Sequence, residues 1–141
     1  MRSQKPEAPE CIPIKILIMD YLFKNETHKI IGCCMAVHNE LGYGFYEPVY
    51  HEAVAIEFLK AEIPYKKEVA MTITYKGNDL SKQYFADFLC FNEIIVELKA
   101  VNTLTDMHMS QVINYLKASK NRIGLLINFG APSLEFKRII V

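Results

Sequence analysis

The feature that most constrains the fold is a change of hydrophobic period near Lys67. Before it, apolar residues recur every three or four positions. Ile30, Ile31, Cys34, Val37, His38 and Leu41 trace one face of a helix expected from about Thr27 to Leu41, with Gly42 as its stop. A second helix is expected from about Glu47 to Ala61. Pro48 suits its first turn, where a missing N–H costs nothing, and Pro64 follows its end. From Lys67 the period becomes two: Val69, Met71, Ile73 and Tyr75 alternate with Ala70, Thr72 and Thr74. Such a chain must lay helices against a sheet.

The order of the remaining elements narrows this further. Gly77-Asn78-Asp79 reads as a hairpin turn into a second strand, about Leu80 to Phe91, and Asn92-Glu93 as a turn into a third, Ile94 to Val101. Thr105 is placed to cap a helix through about Ser119. Ile123 to Asn128 is a short apolar run of the kind buried on both faces. Gly130-Ala131-Pro132 turns into a last strand, Leu134 to Val141. The order is α-α-β-β-β-α-β-β. It predicts an α/β fold with a mixed sheet and helices on its faces, because the Thr105 helix can cross over between parallel strands. At 141 residues, one domain over 25–141 is expected. Residues 1–24 read as a partly flexible extension, and Met19 is a second candidate start.

Charge and cysteine content limit the function. The net charge is zero, which argues against coating nucleic acid through bulk charge. The apolar stretch from Cys11 to Phe23 carries Pro13, Lys15 and Asp20, too short and too charged to span a bilayer. The cysteines (11, 33, 34 and 90) form no C-x-x-C and read as reduced thiols of a cytoplasmic protein. The four histidines show no paired ligand spacing.

Against this background a set of polar residues stands on apolar elements. Glu97 and Lys99 are two apart on a strand, so they leave the same face. A half-buried strand turning both to water is the ordinary alternative. Asp87 lies between apolar neighbours, where aspartate is a poor strand former. A two-residue turn at Asn92-Glu93 would set Asp87 opposite Leu98, away from Glu97. A shared face for the two acids requires an odd-numbered loop or an irregular strand. Gln111 and Tyr115 are four apart on a helix, one above the other. Glu47 opens the second helix, where it also complements the helix dipole. Two or three carboxylates suit Mg²⁺ or Mn²⁺ better than zinc, and a lysine beside them suits phosphodiester hydrolysis. Lys66, Lys67, Lys82, Lys117, Lys120 and Arg122 are candidate phosphate contacts, although each reads equally well as a solvated charge.

Gly44-Phe45-Tyr46-Glu47-Pro48-Val49-Tyr50 resembles the signature of the GxxExxY proteins, which are similar to the PD-(D/E)XK nuclease superfamily. The similarity runs from about Thr27 onward, through Tyr75-Lys76-Gly77, Ala86-Asp87, Val96-Glu97-Leu98-Lys99-Ala100, Gln111 to Tyr115, and Gly124 to Gly130. The resemblance implies a restriction-endonuclease-like core and Mg²⁺-dependent DNA cleavage. It implies Asp87 and Glu97 as metal ligands, with the Leu98 carbonyl as a further ligand, and Lys99 as the catalytic lysine. Glu47 matches the helical acid. Gln111 and Tyr115 resemble the Q-x-x-x-Y element of nucleases in recombination helicases and CRISPR adaptation. Ala86 stands where the superfamily name has proline, and Phe85 where related sequences often carry a basic residue. A catalytically silent module that binds nucleic acid or a protein partner is the alternative, and a homodimer is compatible with either.

Overall fold

The computed structural model describes residues 13, 14 and 23–141. Most of the extension expected over 1–24, with the apolar stretch from Cys11 and the candidate start Met19, lies outside the described residues. Among the described elements, helices α1 (Lys24–Leu41) and α2 (Glu47–Lys60) lead. Strands β1 (Tyr65–Tyr75), β2 (Asn78–Cys90) and β3 (Ile94–Lys99) follow, then helix α3 (Asp106–Ser119) and strands β4 (Ile123–Asn128) and β5 (Glu135–Ile140). This is the expected order. The sheet runs β1-β2-β3-β4-β5, antiparallel throughout except for β3 and β4, which are parallel and joined by α3.

Each face of the sheet has its own core. On one, Ile30, Cys34 and Val37 of α1 and Tyr50, Val54 and Phe58 of α2 pack on Phe88, Val96, Leu98, Leu125 and Ile127. On the other, Val112, Tyr115 and Leu116 of α3 pack on Ala86, Ile95, Leu126 and Ile139. β4 lies between the two layers and is buried along its whole length, as its unbroken apolar run requires. Gly124 lets α3 approach: a Cβ there would lie 2.8 Å from Val112 Cγ1.

Differences from the sequence expectation sit at element ends. α1 starts at Lys24, three residues early: the Thr27 N–H donates to the Phe23 carbonyl at 2.9 Å and closes the first turn, and the Thr27 hydroxyl bonds back to the same carbonyl at 2.8 Å. The first hairpin turns at Lys76-Gly77 rather than Gly77–Asp79. Both residues have positive φ, the geometry that suits a two-residue loop between twisted strands. Beyond Met71 that hairpin leaves the core: Tyr75 and residues 78–85 of β2 are exposed.

Candidate active site

The site forms where β2 and β3 part. Their pairing runs from Cys90–Ile94 to Phe88–Val96 and stops. The connection is the three residues Phe91, Asn92 and Glu93, an odd-numbered loop of the kind a shared face requires. Phe91 and Asn92 both have positive φ, and Asn121 Nδ2 steadies the loop by donating to the Asn92 and Glu93 carbonyls at 3.3 Å. Past Val96 the backbone ladder gives way to side chains. The Asp87 N–H donates to Glu97 Oε1 at 2.8 Å, and the Leu98 N–H donates to Asp87 Oδ2 at 2.8 Å. The two carboxylates thus satisfy the N–H groups that the diverging strands leave open.

β2 is also irregular at this point. Phe88 packs in the α1–α2 core and Ala86 in the α3 core, although residues two apart on a regular strand share a face. On β1, Lys67 pairs with Phe88 and Val69 with Ala86, with no Glu68–Asp87 pair between them, and Glu68 has φ +50°. Both strands switch faces here. Asp87, at the switch, can reach toward α2 and toward Glu97 together.

α2 supplies Glu47 and a residue that the sequence reading did not single out, His51. Nε2 of His51 lies 3.3 Å from Glu47 Oε1 and 3.4 Å from Asp87 Oδ2. One donor atom from each of Glu47, His51 and Asp87 falls within 4.8 Å of the others. Nε2 is buried, and neither contact has hydrogen-bond geometry. Burial opposes a charge on this ring, but the carboxylates of Asp87 and Glu47 outweigh it and raise its pKa to about 9. The E-x-x-x-H spacing of Glu47 and His51 was the available signal, because positions i and i+4 share a helical face.

The motif around Glu47 has a physical reading. Gly44 has φ +111°, a conformation strained for other residues. The fully buried Tyr50 donates its hydroxyl to the Gly42 carbonyl at 2.7 Å, accepts from the Phe45 N–H at 3.3 Å, and stacks on Phe129 at 4.7 Å. Glycine shapes the loop, tyrosine ties it down, and Glu47 is held at the mouth of the gap. Tyr46, by contrast, is 88% exposed.

Glu97 does not face water. It is 3% exposed, and burial together with the Asp87 carboxylate raises its pKa to about 8, against the pull of the Asp87 N–H and the Lys99 charge. Lys99 is half-buried on the same strand and makes no ion pair within 4.0 Å with a described residue. From α3, Gln111 Nε2 donates to the Tyr115 hydroxyl at 2.9 Å. Burial and the Glu97 carboxylate raise the Tyr115 pKa to about 12, so it stays a phenol. Since Gln111 is the donor, the Tyr115 proton is free to be given to another acceptor. His108 instead caps α3, its Nδ1 accepting the Thr105 N–H at 3.0 Å. Arg122 donates to the Val141 carbonyl at 2.8 Å.

Buried Asn128 holds the far end of β3. Its Oδ1 accepts from the Val101 and Gly130 N–H groups, and its Nδ2 donates to the Val101 carbonyl and Glu135. The Phe129 N–H adds a bond to the Lys99 carbonyl.

Helices cover both faces of a mixed sheet, with acids and a lysine where two central strands part. A family profile described as PD-(D/E)XK nuclease superfamily matches residues 24–139. The chain belongs to the PD-(D/E)XK nuclease superfamily. Among solved structures, the crystal structure of SSO0001 is similar in fold, with a TM-score of 0.53 and 18% identity. That match covers 66% of this chain and 48% of the other, so this chain spans about half its length. No curated protein matches.

Proposed function

We propose that the protein is a metal-dependent nuclease that hydrolyses phosphodiester bonds in DNA. The observation that carries this reading is the gap between β2 and β3, where Asp87, bonded through its N–H to Glu97, meets Glu47 and His51 from α2.

The donor set fits a divalent cation: two carboxylates and a buried imidazole nitrogen lacking a hydrogen bond, from two different elements. Glu47, His51 and Asp87 would hold the ion, with Glu97 behind them through the Asp87 backbone. His51 enters in place of a purely carboxylate set of Asp87, Glu97 and Glu47. An imidazole donor favours Mn²⁺ over Mg²⁺. Such an ion would lower the pKa of a bound water and offset phosphate charge.

The chain's own groups do the rest. Lys99, with no ion pair among the described residues, presents positive charge to the scissile phosphate. Tyr115, oriented by Gln111, donates a hydrogen bond from its hydroxyl to a phosphate oxygen. Glu97 fixes the Asp87 backbone and keeps that carboxylate aimed at the gap. A cytoplasmic location is proposed too, since Cys33, Cys34 and Cys90 are buried free thiols, which suits a reducing compartment. No described helix is long and apolar enough to cross a membrane.

The test combines thermal unfolding with cleavage. Wild type, Glu97→Ala and His51→Asn are melted in chelator, Mg²⁺ and Mn²⁺, then incubated with single-stranded and duplex DNA. The expected result is a midpoint raised by Mn²⁺ in wild type alone, with cleavage lost in both variants. A midpoint that no divalent ion moves would sink the metal-dependent reading and favour the silent binding module.

A further inference from the structure

Two hollows adjoin along α3, on the face of the sheet opposite α1 and α2. One, of about 630 Å³, lies against Thr72, Thr74, Lys117 and Lys120. The other, of about 480 Å³, ends at Gln111 and Tyr115. Tyr84 and Asn114 line both, so the two make one trough between the β1–β2 hairpin and α3.

Three properties of this trough point to one occupant. Its charge is segregated: the lining includes two lysines but no carboxylate, in a chain with 16 acidic residues and zero net charge. It has an aromatic floor. Tyr84 is 43% exposed, and its ring lies 5.6 Å from that of Tyr115. Its inner end is the part-buried Gln111–Tyr115 pair. Cationic side chains tracking a backbone beside an exposed aromatic face are what unpaired nucleic acid uses. A duplex keeps its phosphates on a stiff outer cylinder, whereas Tyr115 and Glu97 are only 4% and 3% exposed. A scissile phosphate must come inward to reach them, which a flexible strand can do.

We propose that this trough is a path for single-stranded DNA. Lys117 and Lys120 hold backbone phosphates, and a base stacks on Tyr84 as the strand passes toward Tyr115. The inference rests on the nuclease reading and gives it a substrate class.

Binding is measured in chelator, so that it is scored apart from cleavage. The probes are a labelled oligothymidine and a hairpin-closed duplex. The oligothymidine is expected to bind more tightly to wild type than the duplex does. Lys117→Gln with Lys120→Asn is expected to weaken single-strand binding roughly tenfold and to flatten its salt dependence by about 1.4 in log–log slope, for two lost phosphate contacts. Both positions are exposed, so the melting point should hold. The chain has no tryptophan, which makes Tyr84→Trp a single reporter. Its fluorescence should be quenched by oligothymidine and not by the duplex. Unchanged affinity in the lysine variant, or an unquenched indole, overturns the path. Cleavage that persists alongside that unchanged affinity overturns the path while leaving the nuclease reading in place. Binding through the trough without cleavage in Mn²⁺ sinks the nuclease reading and keeps the path.

Discussion

The acids of the gap illustrate how one residue can serve two chemical ends. Asp87 and Glu97 stitch the strands where backbone pairing fails, and the same placement turns them toward a shared space. The proton balance there has a definite sign. The pKa values of both His51 and Glu97 are raised in the folded protein, from ordinary values of 6.5 and 4.5 to about 9 and about 8. A raised folded-state pKa contributes stability that is complete below the unfolded value and is lost as pH rises through the folded one. In chelator, the melting point is therefore expected to fall from about pH 4.5, where the Glu97 contribution begins to be lost, to about pH 9, where that of His51 is lost. An ion held by His51 must displace the proton on its ring, so the stabilisation by Mn²⁺ should grow from about pH 6.5 to about 9. Melting curves across pH with and without Mn²⁺ test both, and a chelated protein most stable at pH 9 would refute the assignment. Tyr50→Phe, losing bonds to the Gly42 carbonyl and the Phe45 N–H, is expected to cost about 1–2 kcal/mol in urea unfolding.

At the scale of elements, the parallel pair β3–β4 and its crossover α3 set the geometry. α3 lies close because residue 124 has no side chain. Gly124→Ala would push Val112, at a cost of about 1–3 kcal/mol. Gly130 is less forgiving. A Cβ there would meet the backbone of Ala100 and Val101, which cannot rotate aside. Gly130→Ala should therefore destabilise more than Gly124→Ala in the same denaturant titration, and the reverse order would contradict the packing described. Asn128→Ala would leave the Val101 N–H and carbonyl and the Gly130 N–H without their partner, a loss of about 3 kcal/mol or more. It should also lower cleavage, because that clamp fixes the end of β3 that carries Lys99.

Across the whole molecule, burial divides what can react from what cannot. Burial raises the Cys34 thiol far above its ordinary range and Cys90 to about 12. Both should resist a disulfide reagent in the native protein and react on unfolding. Fast native modification of Cys90 would mean that the α1–α2 core is open. The sequence by itself determined the elements, their order and the crossover. These follow from periodicity and turn chemistry, which are local. The three-residue loop between β2 and β3 followed only from asking that Asp87 and Glu97 share a face, since turn chemistry alone read Asn92-Glu93 as the turn. The sequence also marked Asp87, Glu97, Lys99, Gln111, Tyr115 and Glu47 as polar residues in apolar company. Only the tertiary structure brought in His51, since which helical residues meet Asp87 depends on how α2 seats on the sheet. The face switch at Asp87 needs Glu68 on the neighbouring strand at positive φ, and no pattern within β2 alone encodes it. The burial of Glu97 is likewise set by the helix packed above it, because a strand's alternation tells which residues share a face and not what covers that face.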